Sequence, residues 1–540
     1  RIEKIYSDFI GESIHFEPLV QSCKKMIMQV AMASEINSLS HQLDRLAERN
    51  RRYRDFTLNT LSDALRDVIA CLGVYRTYTT SNGVVSEPDR EILEAATEEA
   101  RRRNPRTAHA VFDFLRDTLL LRNLDQFAPE HRAGLLEWVL RFQQLTGPIM
   151  AKGIEDTAFY VYNRLVSLNE VGGHPQRFGV SVQAFHEQNQ LRAERWPSAM
   201  ISTSTHDTKR GEDVRVRISV LSELPHEWEC RLAEWRQLND GLIGLVDGQP
   251  APSANDVYLF FQTLLGVWPD TPPNQMTLPA LQQRLTEYMV KSIREAKQHT
   301  SWINSNESYE QAVCRYVEGV LSEPEESPFR KSFERFHQRL AFFGRINALV
   351  QMLVKLTSPG VPDIYQGTEL WDLTLVDPDN RRPVDFEFRK NLLAELLVDP
   401  DLELMMASLE NGHMKMYLTV TLLQLRKRRP DLFERGEYQP IMPVGEQADN
   451  MCAYLRGGPQ RKAMVIGCIR PVAATRGEEI FPTGEIWGDT FLPWPGLPVG
   501  TLVQNLFTGE DIELIEKNGM IGVLASESMR YLPFSVLLSP

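Results

Sequence analysis

Twelve residues constrain this chain more than any others: Ser202-Thr203-Ser204-Thr205-His206-Asp207-Thr208-Lys209-Arg210-Gly211-Glu212-Asp213. Ahead of them, Ala199-Met200-Ile201 is apolar enough for a short buried strand. Behind them, Val214, Ile218 and Leu221 recur on one face of a helix. Glu212 and Asp213 then fall in that helix's first turn, where the exposed N–H groups favour negative charge. His206 and Asp207 therefore sit where a strand gives way to a loop. In a barrel of alternating strands and helices, that rim carries the chemistry. The same residues admit a plainer reading, in which Asp207 caps the helix and His206 pairs with it.

The rest of the chain supplies the frame. From Ile5 to about Asn123 the pattern is helical, with charged runs such as Glu98-Glu99 and Arg101-Arg102-Arg103 reading as salt-bridged helix surface. Tyr75-Arg76-Thr77-Tyr78-Thr79-Thr80 interrupts it with a β-prone segment. Gly147-Pro148 predicts a turn, and Ile149-Met150-Ala151 a short strand with Glu155 and Asp156 near its end. Phe159, Tyr160, Tyr162, Asn163 and Arg164 form either a core stripe or a polar-aromatic cluster. A second helix-rich stretch runs from about Pro225 to Arg339, followed by a strand at Pro359-Gly360-Val361-Pro362. Asp377 to Asp385 reads as a salt-bridged turn or as a polar edge of a cleft. Beyond Pro430 short alternating segments take over; Met464 to Ile469 and Phe534 to Leu538 are predicted strands.

Several of these stretches match one family in order. STSTHDTKRGEDVRVRISVLSE resembles the hallmark of the maltooligosyltrehalose synthases, within the α-amylase superfamily. Val74 to Tyr78, Ala151 to Tyr160, Asn169-Glu170-Val171-Gly172-Gly173, Pro359 to Leu370 and Asp377 to Pro383 resemble that family too. The resemblance implies an α/β fold: a partial TIM-type (β/α)8 barrel with large helical insertions, plus a C-terminal antiparallel β-sandwich. The expected spans are 1–140 helical insertion, 141–224 barrel segment with the His206-Asp207 strand, 225–335 second helical insertion, 336–430 last barrel strand and closing helices, and 431–540 sandwich. It implies Asp207 as the third catalytic carboxylate. It also implies substrate contacts from His206, Lys209, Arg210, Tyr75, Arg76, Tyr160 and Glu369. Lys209 and Arg210 have an alternative role, balancing Glu212 and Asp213.

The implied reaction converts the reducing-end α-1,4 linkage of a maltooligosaccharide into an α,α-1,1 link. It proceeds through a retaining double displacement, which needs two further carboxyl groups. Neither is found: Leu43-Asp44-Arg45 and Tyr53-Arg54-Asp55 lie in helical runs. The expectation is that this chain is the C-terminal portion of a longer enzyme whose nucleophile and general acid lie upstream, and that the portion alone is inactive. An α-glucan hydrolase on the same scaffold and a non-catalytic glucan-binding fragment are the competing readings. The family implies maltooligosyltrehalose trehalohydrolase as a pathway partner.

Composition narrows the partners. With 59 basic and 72 acidic residues the net charge is −13, against nucleic acid, which demands a basic surface. No run of about 18 apolar residues predicts a membrane span. The six cysteines form no CxxC pair and no ligand-spaced cluster, so no metal and no cofactor are expected. Unpaired thiols point to a reducing, cytoplasmic setting.

Overall fold

The computed structural model describes residues 1–458 and 461–540. They divide into two compact units. One comprises Arg1–Gly11, Arg164–Val290 and Ser308–Pro540; the other Glu12–Asn163 and Lys291–Glu307.

The second unit is helical, as the sequence pattern predicts. Its core draws Leu39, Leu43 and Leu46 from helix Ala33–Glu48, Leu61 and Leu65 from helix Leu58–Cys71, and Trp138 and Phe142 from helix Pro129–Met150. Two expectations fail here. Gly147-Pro148 is no turn, and Ile149-Met150-Ala151 no strand. The helix runs through Pro148 to Met150 and continues as a π-helix over Ala151–Ala158. An internal proline forfeits one helical hydrogen bond, but the buried stripe Leu135, Trp138, Val139, Phe142, Ile149 carries the helix past it. The β-prone segment after Tyr75 forms no strand either. The Gln143 side chain stands in for a partner strand, accepting from the Thr79 N–H (3.0 Å) and donating to its carbonyl (2.9 Å).

In the first unit, strand Met200–Ile201 pairs parallel with Val361–Pro362. The strand exists where expected but is not buried: Met200 is 68% exposed. Helix Glu212–Ser219 follows, with Val214, Ile218 and the ensuing Leu221 fully buried. It packs on helices Ala254–Val267 and Pro328–Thr357. The latter is 30 residues and, against the expectation from sequence, long and apolar enough to cross a membrane; 72% of its most apolar window is buried in the fold. The helix-rich stretch before it is interrupted by a hairpin, Gly244–Val246 with Gln249–Ala251. Its turn, Asp247-Gly248, takes positive φ at both residues, the pair a two-residue hairpin favours.

Beyond helix His413–Arg428 the chain turns to antiparallel sheet. Six strands lie in the order Asp511–Glu513, Leu502–Asn505, Phe534–Leu538, Lys462–Cys468, Met451–Gly457, Glu437–Ile441. Three more, Ile515–Lys517, Met520–Leu524 and Phe491–Pro493, form a second sheet. Alternation sorts the six-stranded sheet's side chains. Ala453, Leu455, Met464, Ile466 and Leu537 share a core with Leu492 and Val523 of the small sheet. Tyr454, Val465 and Val536 join the helical core around Leu353, Leu418 and Leu422. Both faces are covered, which is why Met464 to Ile469 reads as an unbroken apolar run.

Candidate active-site loop

The loop between strand Met200–Ile201 and helix Glu212–Ser219 is held by its backbone and presents two side chains at its tip. His206 and Asp207 are exposed, whereas Ser204, Thr208, Lys209 and Arg210 are buried. The Asp207 N–H donates to Thr205 Oγ1 (3.2 Å), and the Thr208 hydroxyl to the Thr205 carbonyl (2.9 Å). Asn380 Nδ2 donates to the carbonyls of His206 (3.0 Å) and Thr205 (3.3 Å). Glu170 accepts from the Lys209 N–H (2.9 and 3.0 Å). Arg215 donates to the carbonyls of Arg210 (2.6 Å) and Thr203. The plainer reading of Asp207 as a helix cap does not hold. Ser204 Oγ takes the Glu212 N–H at 3.0 Å, and no ion pair involves Asp207 among the described residues.

Beneath the loop lies a buried charge network. Glu212 and Asp213 face two lysines from distant helices, Lys355 and Lys415, all nearly inaccessible. Lys415 Nζ reaches Asp213 at 2.8 Å and Glu212 at 2.9 Å. Lys355 Nζ reaches Glu212 at 3.2 Å and the Thr203 hydroxyl at 2.8 Å. Burial alone would raise the Glu212 carboxyl, but Lys415 and Lys355 outweigh it and hold it down to about 2. A third carboxyl, Asp372, gives its backbone N–H to Asp213 (2.7 Å). Burial, with Asp213's charge beside it, pushes the Asp372 side chain up to about 6. Glu212 and Asp213 thus do more than favour the helix dipole. They tie the loop's far end to helices Pro328–Thr357 and His413–Arg428.

The other predicted contacts are distributed unevenly. Arg210 is buried, its guanidinium donating to the Val166 carbonyl (3.2 Å) and the Tyr288 hydroxyl (2.6 Å). It does not balance Glu212 or Asp213; the two lysines do. Lys209 is also buried. Glu369 is half-buried and accepts from Arg389 at 3.1 Å. Asp379 is gripped by Arg284 (2.8 Å) and Arg382 (3.0 Å), and Asp377 by Arg381 (2.6 Å), so the 377–385 segment is a salt-bridged turn. Tyr75, Arg76 and Tyr160 belong to the helical unit. Tyr75 is exposed and its hydroxyl donates to Glu155, on the π-helix. The Arg76 guanidinium lies 4.7 Å from the Tyr78 ring centroid. Tyr160 is buried with Val161, Ala296, Ile14 and Leu19, a core position rather than an open sugar platform.

Sequence reasoning missed Glu170, Lys355, Lys415, Asp372 and Asn380. Glu170 and Asn380 stand inside matched motifs, but nothing local assigns them a role. Lys355 and Lys415 read as ordinary basic residues on helices.

No family model matches the chain. A Mycobacterium tuberculosis protein whose name assigns it as a maltooligosyl trehalose synthase is 39% identical over 359 residues, which is 66% of this chain and 41% of that protein. The maltooligosyltrehalose synthase of Arthrobacter ramosus superposes with a TM-score of 0.77 at 32% identity, covering all of this chain and 60% of that one. A Sulfolobus tokodaii structure described as a hypothetical maltooligosyl trehalose synthase gives 0.69 at 26%, again covering 100% and 60%. The chain is accordingly a mixed helix-and-sheet protein of the class those solved structures represent. Within that class it is a homologue of the maltooligosyltrehalose synthases, and it spans between about two fifths and three fifths of the relatives it matches.

Proposed function

We propose that this chain forms part of an enzyme that rearranges the reducing end of α-1,4-glucans into an α,α-1,1-linked, non-reducing end. The single observation carrying this reading is Asp207: an exposed carboxylate, in no ion pair among the described residues, on a loop whose backbone is bonded from several sides. An ionised group fixed in that way can stabilise an oxocarbenium-like transition state without reorganising. His206 beside it would hydrogen-bond sugar hydroxyls.

The chemistry runs in two displacements. A nucleophilic carboxylate attacks the anomeric carbon of the penultimate glucose while an acid protonates the leaving oxygen. The freed glucose stays bound, and its anomeric hydroxyl attacks the glycosyl-enzyme after the same acid group, now a base, takes its proton. Water at about 55 M competes for that intermediate, so the site must hold the glucose at high effective molarity. In this reading the nucleophile and the general acid come from outside these 540 residues. The strand pair Met200–Ile201 with Val361–Pro362 belongs to a TIM-type barrel, and the two antiparallel sheets that share one core form a sandwich. Six unpaired cysteines suit a reducing cytoplasm, with a trehalohydrolase acting on the product.

The test uses the enzyme expressed from its complete reading frame, with maltopentaose. Reducing ends should disappear with little free glucose; their increase would mean a hydrolase, and no turnover a binding protein. Asp207→Asn should lower turnover about 10²–10³-fold with an unchanged melting temperature, because the side chain is exposed. Turnover equal to wild type would remove Asp207 from the mechanism.

A further inference from the structure

The side chains of His206 and Asp207 are useful only if their loop is rigid, and one residue contributes more to that rigidity than its place in the sequence suggests. Glu170 lies in the turn Asn169–Gly173, far from the loop in sequence. The turn is built to hold a carboxylate still. The Gly173 N–H donates to the Glu170 carbonyl at 2.7 Å. Gly172 has φ +72°, and a Cβ on Gly173 would stand 2.7 Å from the Glu170 carbonyl oxygen, so both positions need glycine.

The carboxylate so held accepts from four donors. They are its neighbour Val171 N–H (2.8 Å), the Lys209 N–H (2.9 and 3.0 Å), the Arg210 N–H (3.4 Å) and Arg215 Nη1 (3.0 Å). Arg215 sits on the helix that leaves the loop, and the same guanidinium binds the carbonyls of Thr203 and Arg210. Glu170 and Arg215 therefore bracket the loop at both ends, while Asn380 holds the carbonyls at its tip. At the tip the side chains of His206 and Asp207 face solvent. The carboxylate is well matched to this task because every partner is a donor. A glutamine would turn an NH2 either toward the N–H groups of Val171 and Lys209 or toward the donors of Lys209, Arg210 and Arg215, opposing each donor it meets.

We propose that Glu170 is the positioning residue of the His206–Asp207 loop, acting through the backbone of Lys209 and Arg210 and never on substrate itself. Its effect on turnover rests on the function proposed above; its effect on the loop does not. A displacement of about 1 Å at a catalytic group costs on the order of 10²-fold in rate.

Two measurements test this in the enzyme from the complete reading frame. Glu170→Gln should lower kcat about 10–100-fold with KM within about threefold. It should also raise the fraction of glucose released free, since a looser site admits water. Glu170→Asp, which keeps the charge and both acceptor oxygens, should recover part of kcat; an equal loss in both variants would overturn the role of the carboxylate's charge. Independently of activity, amide hydrogen exchange in the segment 205–210 should quicken at least about tenfold in Glu170→Gln while the core helices keep their protection. Unchanged exchange at Lys209 and Arg210 would sink the proposal even if activity fell. If wild type forms no non-reducing product, the functional reading fails and the exchange result alone decides the positioning role. If the Gln variant does not fold, Arg215→Lys takes its place: it keeps the charge and removes the fork, so unaltered exchange at 205–210 would overturn the bracket.

Discussion

Three carboxyl groups and two lysines meet beneath the loop, and the odd carboxyl bears the strain. Lys355 and Lys415 together neutralise Glu212 and Asp213. Asp372 adds a third acid beside them, where among the described residues its side chain accepts from the Thr374 hydroxyl alone, at 2.9 Å. Its folded value of about 6 against an ordinary 3.8 means the native state holds a proton that the unfolded chain releases. Stability is then full below about pH 4 and falls as pH rises through 6. Glu212 works in the opposite direction. Held at about 2 against 4.5, it contributes stability above 4.5 that is lost as pH drops toward 2. Asp372→Asn should therefore stabilise the protein at pH 7 by on the order of 1–3 kcal/mol and shrink the decline above pH 4, to which Asp213, also raised by burial, contributes as well, leaving the acid limb intact. Urea unfolding at pH 3, 5 and 7 reads both limbs. A variant less stable than wild type at pH 7 would show that its surroundings favour the Asp372 carboxylate instead of opposing it.

At the scale of elements, helix Glu212–Ser219 is the hinge of the arrangement because it is clasped on two sides at glycines. A Cβ on Gly344, in helix Pro328–Thr357, would come 3.0 Å from Arg217 Cα. A Cβ on Gly266, in helix Ala254–Val267, would meet Val214 Cγ1 at 2.8 Å and Ile218 Cδ1 at 2.9 Å. The neighbour in the first case is backbone, which cannot give way without moving the helix and the loop before it. In the second, side-chain ends can shift. An alanine inside a helix gains up to about 1 kcal/mol over glycine, against roughly 1–3 kcal/mol for overpacking. Gly344→Ala should thus be clearly destabilising and Gly266→Ala less so, although Val214 and Ile218 are fully buried and must shift, as thermal denaturation will show. Equal effects would mean that the Gly344 contact relaxes as easily as a methyl group turns.

For the whole molecule, the net charge of −13 is the property that partners sense at a distance. A neutral glucan is indifferent to it, whereas a polyanion is repelled. On the function proposed above, affinity of the protein from its complete reading frame for maltopentaose, measured by calorimetry, should change less than about twofold between 50 and 500 mM salt. A phosphate-binding surface would lose orders of magnitude over that range. A steep salt dependence would point to a charged ligand.

The sequence alone determined what local physics governs. Apolar periodicity gave the helix after Asp207 and the helical run to Asn123; short apolar runs with β-branched residues gave the strands at Met464 and Phe534. The His-Asp loop was legible because a strand, a loop and a helix follow one another within about twenty residues. Where local signals competed, they misled: Gly147-Pro148 reads as a turn, yet the buried stripe around Trp138 and Phe142 keeps the chain helical. Tertiary structure alone decided which groups answer one another. Lys415 finds Asp213 across 202 residues and Glu170 finds Lys209 across 39, and no spacing rule relates such positions. Burying a charge obliges the fold to bring an opposite one to it, but the pairing is settled by how helices pack, and packing is a property of the folded chain.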